Sequence, residues 1–357
     1  MSMRPNHSIP RVRRSHGFTL TEVMVAIAIS IILMLGVMQI FASSKRSYRL
    51  DDGLARAQEN ARYAVTTLSQ EIRMAGYIGC RASKVANVLN NTTSWMFDFD
   101  TPLQGFEGGA STFPTDFASK VIAGTDAVVV LRGGDKQYKI TQDNPNAASM
   151  KLNTTDGLSQ YDIVMVSDCN QASITQITNV QSSTLTITHQ TGLGTPGNCA
   201  KGLGSPVPSP CTPNGTTYTY GLNGGVLKYT ATAFYIGQST SGSGRSLFRL
   251  AMDKGVAGTP EELAEGVENM QILYGEDTNA DGLADRYVTA DNANFKNVVS
   301  VRLGLLVDTT TDVASRDDTQ SYTIADTTLA AGTGHAVDKR LRFPITTTIK
   351  LRNRGSM

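Results

Sequence analysis

Glu22 is a lone carboxylate at the head of an uncharged run, Val23 to Ala42, interrupted only by Ser30, Gly36 and Gln39. A charge at the rim of so long an apolar segment is costly and marks function or a partner. Cys80, Cys169, Cys199 and Cys211 form an even set. Four cysteines allow three pairings; locality favours Cys199 with Cys211 and leaves Cys80 with Cys169, the alternative being one reduced pair. No Cys-x-x-Cys spacing or neighbouring histidine pair suits zinc. The stretch Asp277 to Asp285 spaces oxygen donors as an EF-hand loop does. Asp277, Asn279, Asp281 and Asp285 take the first, third, fifth and ninth positions, Gly282 the sharp turn, and the Leu283 carbonyl the seventh. Val288 stands where the usual glutamate would be. The same residues also make an Asx-rich hairpin turn with no ion. Calcium (Ca2+) and a bare turn therefore stand even, and no cofactor is required by either.

Catalytic patterns are missing from the sequence. Of four histidines, His7 and His16 lie near the N-terminus, and His189 and His335 are expected at the surface. No phosphate-binding Gly-x-x-x-x-Gly-Lys-Ser/Thr loop occurs, and no acid pair has telling spacing. The expectation is a protein that is not an enzyme. Lysine and arginine total 32 against 31 acids, for a net charge of +1, so no nucleic-acid footprint is visible. With 40% apolar and 18% charged residues, the chain is neither disordered nor rich in charged helices.

Charge is distributed unevenly, and that says which element positions Glu22. Residues 1–17 carry Arg4, Arg11, Arg13 and Arg14 and no acid. The twenty-residue run behind them spans roughly 30 Å as a helix, the thickness of a bilayer's hydrocarbon. Basic residues before the span place the N-terminus in the cytoplasm and the rest across the membrane. A signal peptide cut near Ala42-Ser43-Ser44 and a plain single-pass anchor are the rival interpretations. Neither explains Glu22.

Gly17-Phe18-Thr19-Leu20 with Glu22, a basic leader before and an apolar run after, closely resembles the class III signal of type IV prepilins and type II secretion pseudopilins. The resemblance implies cleavage by the prepilin peptidase between Gly17 and Phe18, followed by methylation of the new Phe18 amine. It also implies that Glu22 meets the N-terminal amine of a neighbouring subunit. Gln58-Glu59-Asn60-Ala61-Arg62, Arg73 to Cys80, Leu341-Arg342-Phe343 and Lys350 to Arg354 look like PilW-type minor pilins. The pilin pattern of a disulfide loop at the C-terminus is missing, since no cysteine follows Cys211. That departure argues against a major pilin.

The organisation follows. Residues 1–17 read as leader, 18–76 as the pilin helix with its membrane span at 23–42, and 77–357 as a β-rich periplasmic head with large loop insertions. No proline separates Pro10 from Pro102, and Leu50, Leu54, Ala57, Ala61, Ala64, Leu68, Ile72 and Ala75 recur at helical steps. That stripe should pack on the head, with Gly36 and Gly53 as weak points and Gly76 as the stop. Strands are expected at 127–131, 162–167, 174–178, 184–188, 216–220, 226–236, 270–274, 298–307 and 343–351, with a short helix or turn over 259–269. Many alternate apolar and polar residues, as sheets with one wet face do. The fold class is thus α+β, a long hydrophobic helix packed on a mainly antiparallel head.

By resemblance, the protein is a minor pilin of an initiation or tip complex needed for pilus assembly. It would sit in the bacterial inner membrane first and in a type IV pilus at the cell surface afterwards. Its implied partners are other minor pilins, the major pilin, the prepilin peptidase, the inner-membrane assembly platform and a tip adhesin. A minor pseudopilin of a type II secretion system is the nearest alternative. A ligand-binding or adhesion module using Trp95, Phe97 and Phe99, or the Gly/Pro-rich loop at 189–215, is the more distant one. Aromatic residues so clustered are more often core than site.

Overall fold

The computed structural model describes residues 17–80, 82, 84–108, 113–242 and 244–353. Residues 1–16, which hold the four arginines of the leader expected over 1–17, lie outside the described residues. The chain divides between Asp52 and Gly53 into two compact units. One helix, Leu20–Arg73, runs through that division. It passes through Gly36 and Gly53 without a break. A turn over 74–76 closes it, with Gly76 at φ +74°, a left-handed stop that favours glycine. In the second unit the helix buries Ala57, Ala61, Ala64, Leu68 and Ile72 while Leu54 is half-buried. The second compact unit begins inside the helix, at Gly53.

Behind the helix lie two main sheets. The larger runs Val85–Asn87, Ala172–Gln176, Ile163–Ser167, Gly225–Gln238, Ala127–Asn144, Ser149–Leu152, Thr186–Thr188 and Asn179–Gln181. Leu103–Phe106 adds to Ala127–Asn144, and Arg245–Asp253 adds to Gly225–Gln238, carrying Val256–Ala257 and Glu261–Glu265. The smaller sheet runs Arg286–Val288, Val267–Glu276, Val298–Asp308 and Arg342–Lys350. Pairing is antiparallel except where Val85–Asn87 lies parallel to Ala172–Gln176.

Period-two alternation assigns the two faces of the larger sheet. Val128 and Val130, with Phe234 and Ile236, share a core with the helix stripe and with Ile272, Val301 and Leu303 of the smaller sheet. Val129 and Leu131, with Ala233 and Tyr235, face a second core that holds Trp95, Phe97 and Phe117. Central strands are thus covered on both sides: Ile163–Ser167 and Ala172–Gln176 are buried throughout. Sheets with one wet face describe the rim better than the centre.

Ion pairs fix the elements where apolar contact alone would slide. Glu71 on the helix accepts from Arg132 Nε at 2.9 Å and Nη2 at 3.0 Å, a forked pair between helix and sheet. Arg342, its side chain fully buried, reaches Glu268, Asp318 and Asp338 and ties the 309–341 connection to the smaller sheet.

Two expected elements differ. Residues 216–220 form no strand: the Tyr220 amide donates to Asp143 Oδ2 at 2.7 Å, so a side chain takes the place of a ladder partner. Residues 259–269 hold no helix; Glu261–Glu265 and Val267–Glu276 are strands jointed at Gly266, whose φ of +77° turns the chain.

Candidate functional site

Gly17, Phe18 and Thr19 precede the helix in non-helical backbone, and Phe18 is 86% exposed. The Gly17–Phe18 bond is thus accessible and free of helical hydrogen bonding. Glu22 is not left to itself. The Thr19 amide and hydroxyl both donate to Glu22 Oε2 at 2.9 Å, and the Glu22 amide donates to Thr19 Oγ1 at 3.3 Å. This is a capping box, which satisfies donors that a helix start would otherwise leave bare. Both Thr19 donors go to the one carboxylate oxygen, Oε2. Sequence reasoning placed Thr19 in the motif but missed its capping role, although Thr-x-x-Glu before an apolar run is the signal for this box.

Beyond Glu22 every residue from Val23 to Ala42 is exposed. Ser30 Oγ donates to the Ala26 carbonyl at 2.7 Å, so its hydroxyl needs no outside partner. Among the described residues, this is the helix long and apolar enough to cross a membrane. An apolar surface all round residues 23–42 suits lipid or other apolar helices, not water.

The cysteines join as Cys80–Cys169 and Cys199–Cys211, with Cα separations of 5.1 and 5.9 Å. The first ties the backbone after the helix to the turn between Ile163–Ser167 and Ala172–Gln176. In the 277–285 loop, Asp277 Oδ1 accepts the Ala280 amide and Oδ2 the Gly282 amide, at 2.6 and 2.7 Å. Asn279 Oδ1 accepts from the Asp281 amide, Asp281 Oδ1 from the Leu283 amide, and Asp285 Oδ2 from the amide and hydroxyl of Thr278. Those Thr278 bonds hold the Asp285 carboxyl below its ordinary range. Gly282 has φ +82° at the turn. Among the described residues, no three His, Cys, Asp or Glu side chains are grouped to hold a metal.

The histidines correct their expected placement. His189 and His335 are each 2% exposed. His335 lies with both ring nitrogens 2.7–2.8 Å from the carbonyls of Gln320 and Ala336. His189 has neither nitrogen bonded, and burial pulls its pKa down to about 4. A short run of Thr and Gly around a histidine carries no burial signal, so composition misplaced both. Trp95 and Phe97 are core, the indole donating to Asp116 Oδ2 at 2.8 Å and stacking edge-on to Phe117.

Comparison with known proteins bears on this geometry. Residues 12–38 match the prokaryotic N-terminal methylation motif, and residues 233–353 match the family model of type IV pilus-assembly protein W, PilW. No curated protein matches the chain. Among solved structures, a type IV-like pilin from Thermus thermophilus is 13% identical, over 86% of this chain and 97% of its own, at a TM-score of 0.31. The methylation motif spans the Gly17–Phe18 bond, Glu22 and most of the apolar run, and the PilW match spans the closing strands; over these two stretches the chain is similar to type IV pilins of the PilW family.

Proposed function

We propose that this chain is a minor pilin that waits in the bacterial inner membrane and helps to initiate type IV pili from within a minor-pilin complex. The observation that carries the proposal is the exposed, uncharged helix face over 23–42, headed by a capped Glu22 directly after an accessible Gly17–Phe18 bond. In this account the prepilin peptidase cuts at that bond and Phe18 is then N-methylated. Lipid offers no hydrophobic drive for helices to associate, so association rests on close packing and on polar contacts. Ala26, Ala28, Ser30 and Gly36 permit close approach, and Glu22 supplies the polar contact through its second oxygen. An amine on a neighbouring subunit completes the pair, and an ion pair in an apolar bundle fixes register. The head stays on the periplasmic side and meets other minor pilins, the assembly platform and a tip adhesin.

Substitution at Glu22 in cells tests the proposal. Glu22→Ala should leave the Gly17–Phe18 cut intact and strip the protein from sheared fibres, while Glu22→Asp should retain part of it. Wild-type incorporation of Glu22→Ala would overturn it. The 277–285 loop is, in the same account, a calcium-stabilised surface turn, supported by donor spacing and Gly282. Isothermal titration with Asp281→Ala as control tests that part; the absence of calcium-dependent heat removes it.

A further inference from the structure

The helix leaves its apolar run with its charges in a definite order. Between Glu22 and Asp51 the charged residues are Lys45, Arg46 and Arg49 alone. All three are exposed, as is Tyr48 at 73%. Among the described residues none of the three cations has an ion-pair partner. A helix turns about 100° per residue, which gathers Lys45, Arg49 and Arg46 into a sector of about 100°. Tyr48 flanks that sector on the Lys45 side. Asp51, two residues beyond Arg49, comes about 200° round, on the opposite side. Asp52 stands about two turns past Lys45 and already has an interaction within the chain.

Height matters as much as direction. At about 1.5 Å per residue, Lys45 stands ~5 Å beyond Ala42 and Arg49 ~10 Å beyond it. A bilayer's headgroups occupy roughly 5–8 Å on each side of its hydrocarbon. Helical Cα–Cβ bonds tilt toward the N-terminus, so these long side chains lean back toward the apolar run. Their stems follow apolar surface while the charged heads stay in polar surroundings. The three cations therefore reach the level of the lipid phosphates, and Tyr48 lies where tyrosines collect at membrane interfaces. Asp51 and Asp52 stand farther out. Opposite charge at the surface and like charge held away from it is the order that an anionic surface selects.

We propose, on the reading that 23–42 spans the bilayer, that Lys45, Arg46 and Arg49 bind the phosphates of anionic phospholipids in the leaflet on the head side. Tyr48 sits beside them at the interface, and the four residues together fix the depth of the helix in the membrane. Arg46 and Arg49 offer the forked N–H donors that suit phosphate oxygens, and Lys45 adds a compact charge. Salt weakens the attraction by screening it.

Native mass spectrometry of the full chain, released from nanodiscs of equimolar phosphatidylglycerol and phosphatidylcholine, tests the lipid site. Arg4, Arg11, Arg13 and Arg14 attract phosphate from the other leaflet, so the readout is the change between wild type and variant. Lys45→Gln, Arg46→Gln and Arg49→Gln together should lower the retained ratio of phosphatidylglycerol to phosphatidylcholine on the order of tenfold. Asp51→Asn should keep the wild-type ratio. Alkaline carbonate extraction from vesicles reads insertion separately, and both wild type and triple variant should resist it. Release of the wild type would remove the membrane span and this site with it. Retention of both with an unchanged lipid ratio would overturn the lipid site alone and leave the three cations to an acidic segment of a neighbouring subunit.

Discussion

The single helix Leu20–Arg73 serves two different environments along its length. From Leu20 to Arg49 every residue is exposed, and the apolar ones include Ile31, Ile32, Leu33 and Leu35 in close succession. From Ala57 onward only every third or fourth residue is apolar and inward, and those residues are 0–2% exposed. A helix that is apolar all round demands a solvent other than water, whereas a narrow stripe needs only a sheet to cover it. Small residues serve both parts. Ala57, Ala61 and Ala64 let the helix approach the sheets closely, while Ala26, Ala28 and Gly36 leave room for neighbours absent from a lone chain.

The comparison can be broken most forcefully through the disulfides, which belong wholly to the second part. Removing Cys80–Cys169 with paired serines should cost about 4–5 kcal/mol, against about 3 kcal/mol for Cys199–Cys211, because the first closes a far longer loop. Urea unfolding of the full chain in micelles measures both; equal costs would show that loop length does not decide. Next comes one substitution made twice. Leu68→Ala, at a fully buried site, should cost about 3–4 kcal/mol. Leu35→Ala, 65% exposed, should leave head stability within about 0.5 kcal/mol. Comparable losses would mean that the two parts of the helix do not differ as described.

A smaller effect concerns pH. The folded value of His189, about 4, lies below its unfolded 6.5. Its contribution is therefore present above pH 6.5 and lost as pH falls toward 4, by about 3 kcal/mol at most. His189→Leu should thus turn the head toward greater stability in acid, read as urea midpoints at pH 7 and 4.5; an unchanged acid loss would exclude His189 as its source. The smallest effect is calcium, whose saturation should stabilise the head by about 1 kcal/mol through the 277–285 loop. The same shift in Asp281→Ala would assign it elsewhere.

Legibility in the sequence followed the strength of periodicity. Ala57 to Ile72 could be read because five apolar positions follow one another at helical steps, and Val298–Asp308 because a long apolar run ends at turn residues. Arg245–Asp253 was not read: its burial follows pairing with Gly225–Gln238, and Leu247 and Phe248 are adjacent and both buried. The expected strand at 216–220 failed because Asp143 takes the ladder partner's place, and of the short helix or turn expected over 259–269 only the turn at Gly266, leading into Val267–Glu276, is present. At the N-terminus Gly17, Phe18 and Glu22 were picked out by their resemblance to a prepilin signal, and residues 12–38 match the N-terminal methylation motif. Thr19 was on view in the same motif, but its part depends on which way Glu22 folds back.

The most direct measurement is intact and peptide mass spectrometry of the protein taken from sheared fibres. The account predicts a chain that begins at Phe18 and carries one N-terminal methyl group. A chain that still bears its arginine-rich prefix, or that begins beyond Ala42, would contradict it.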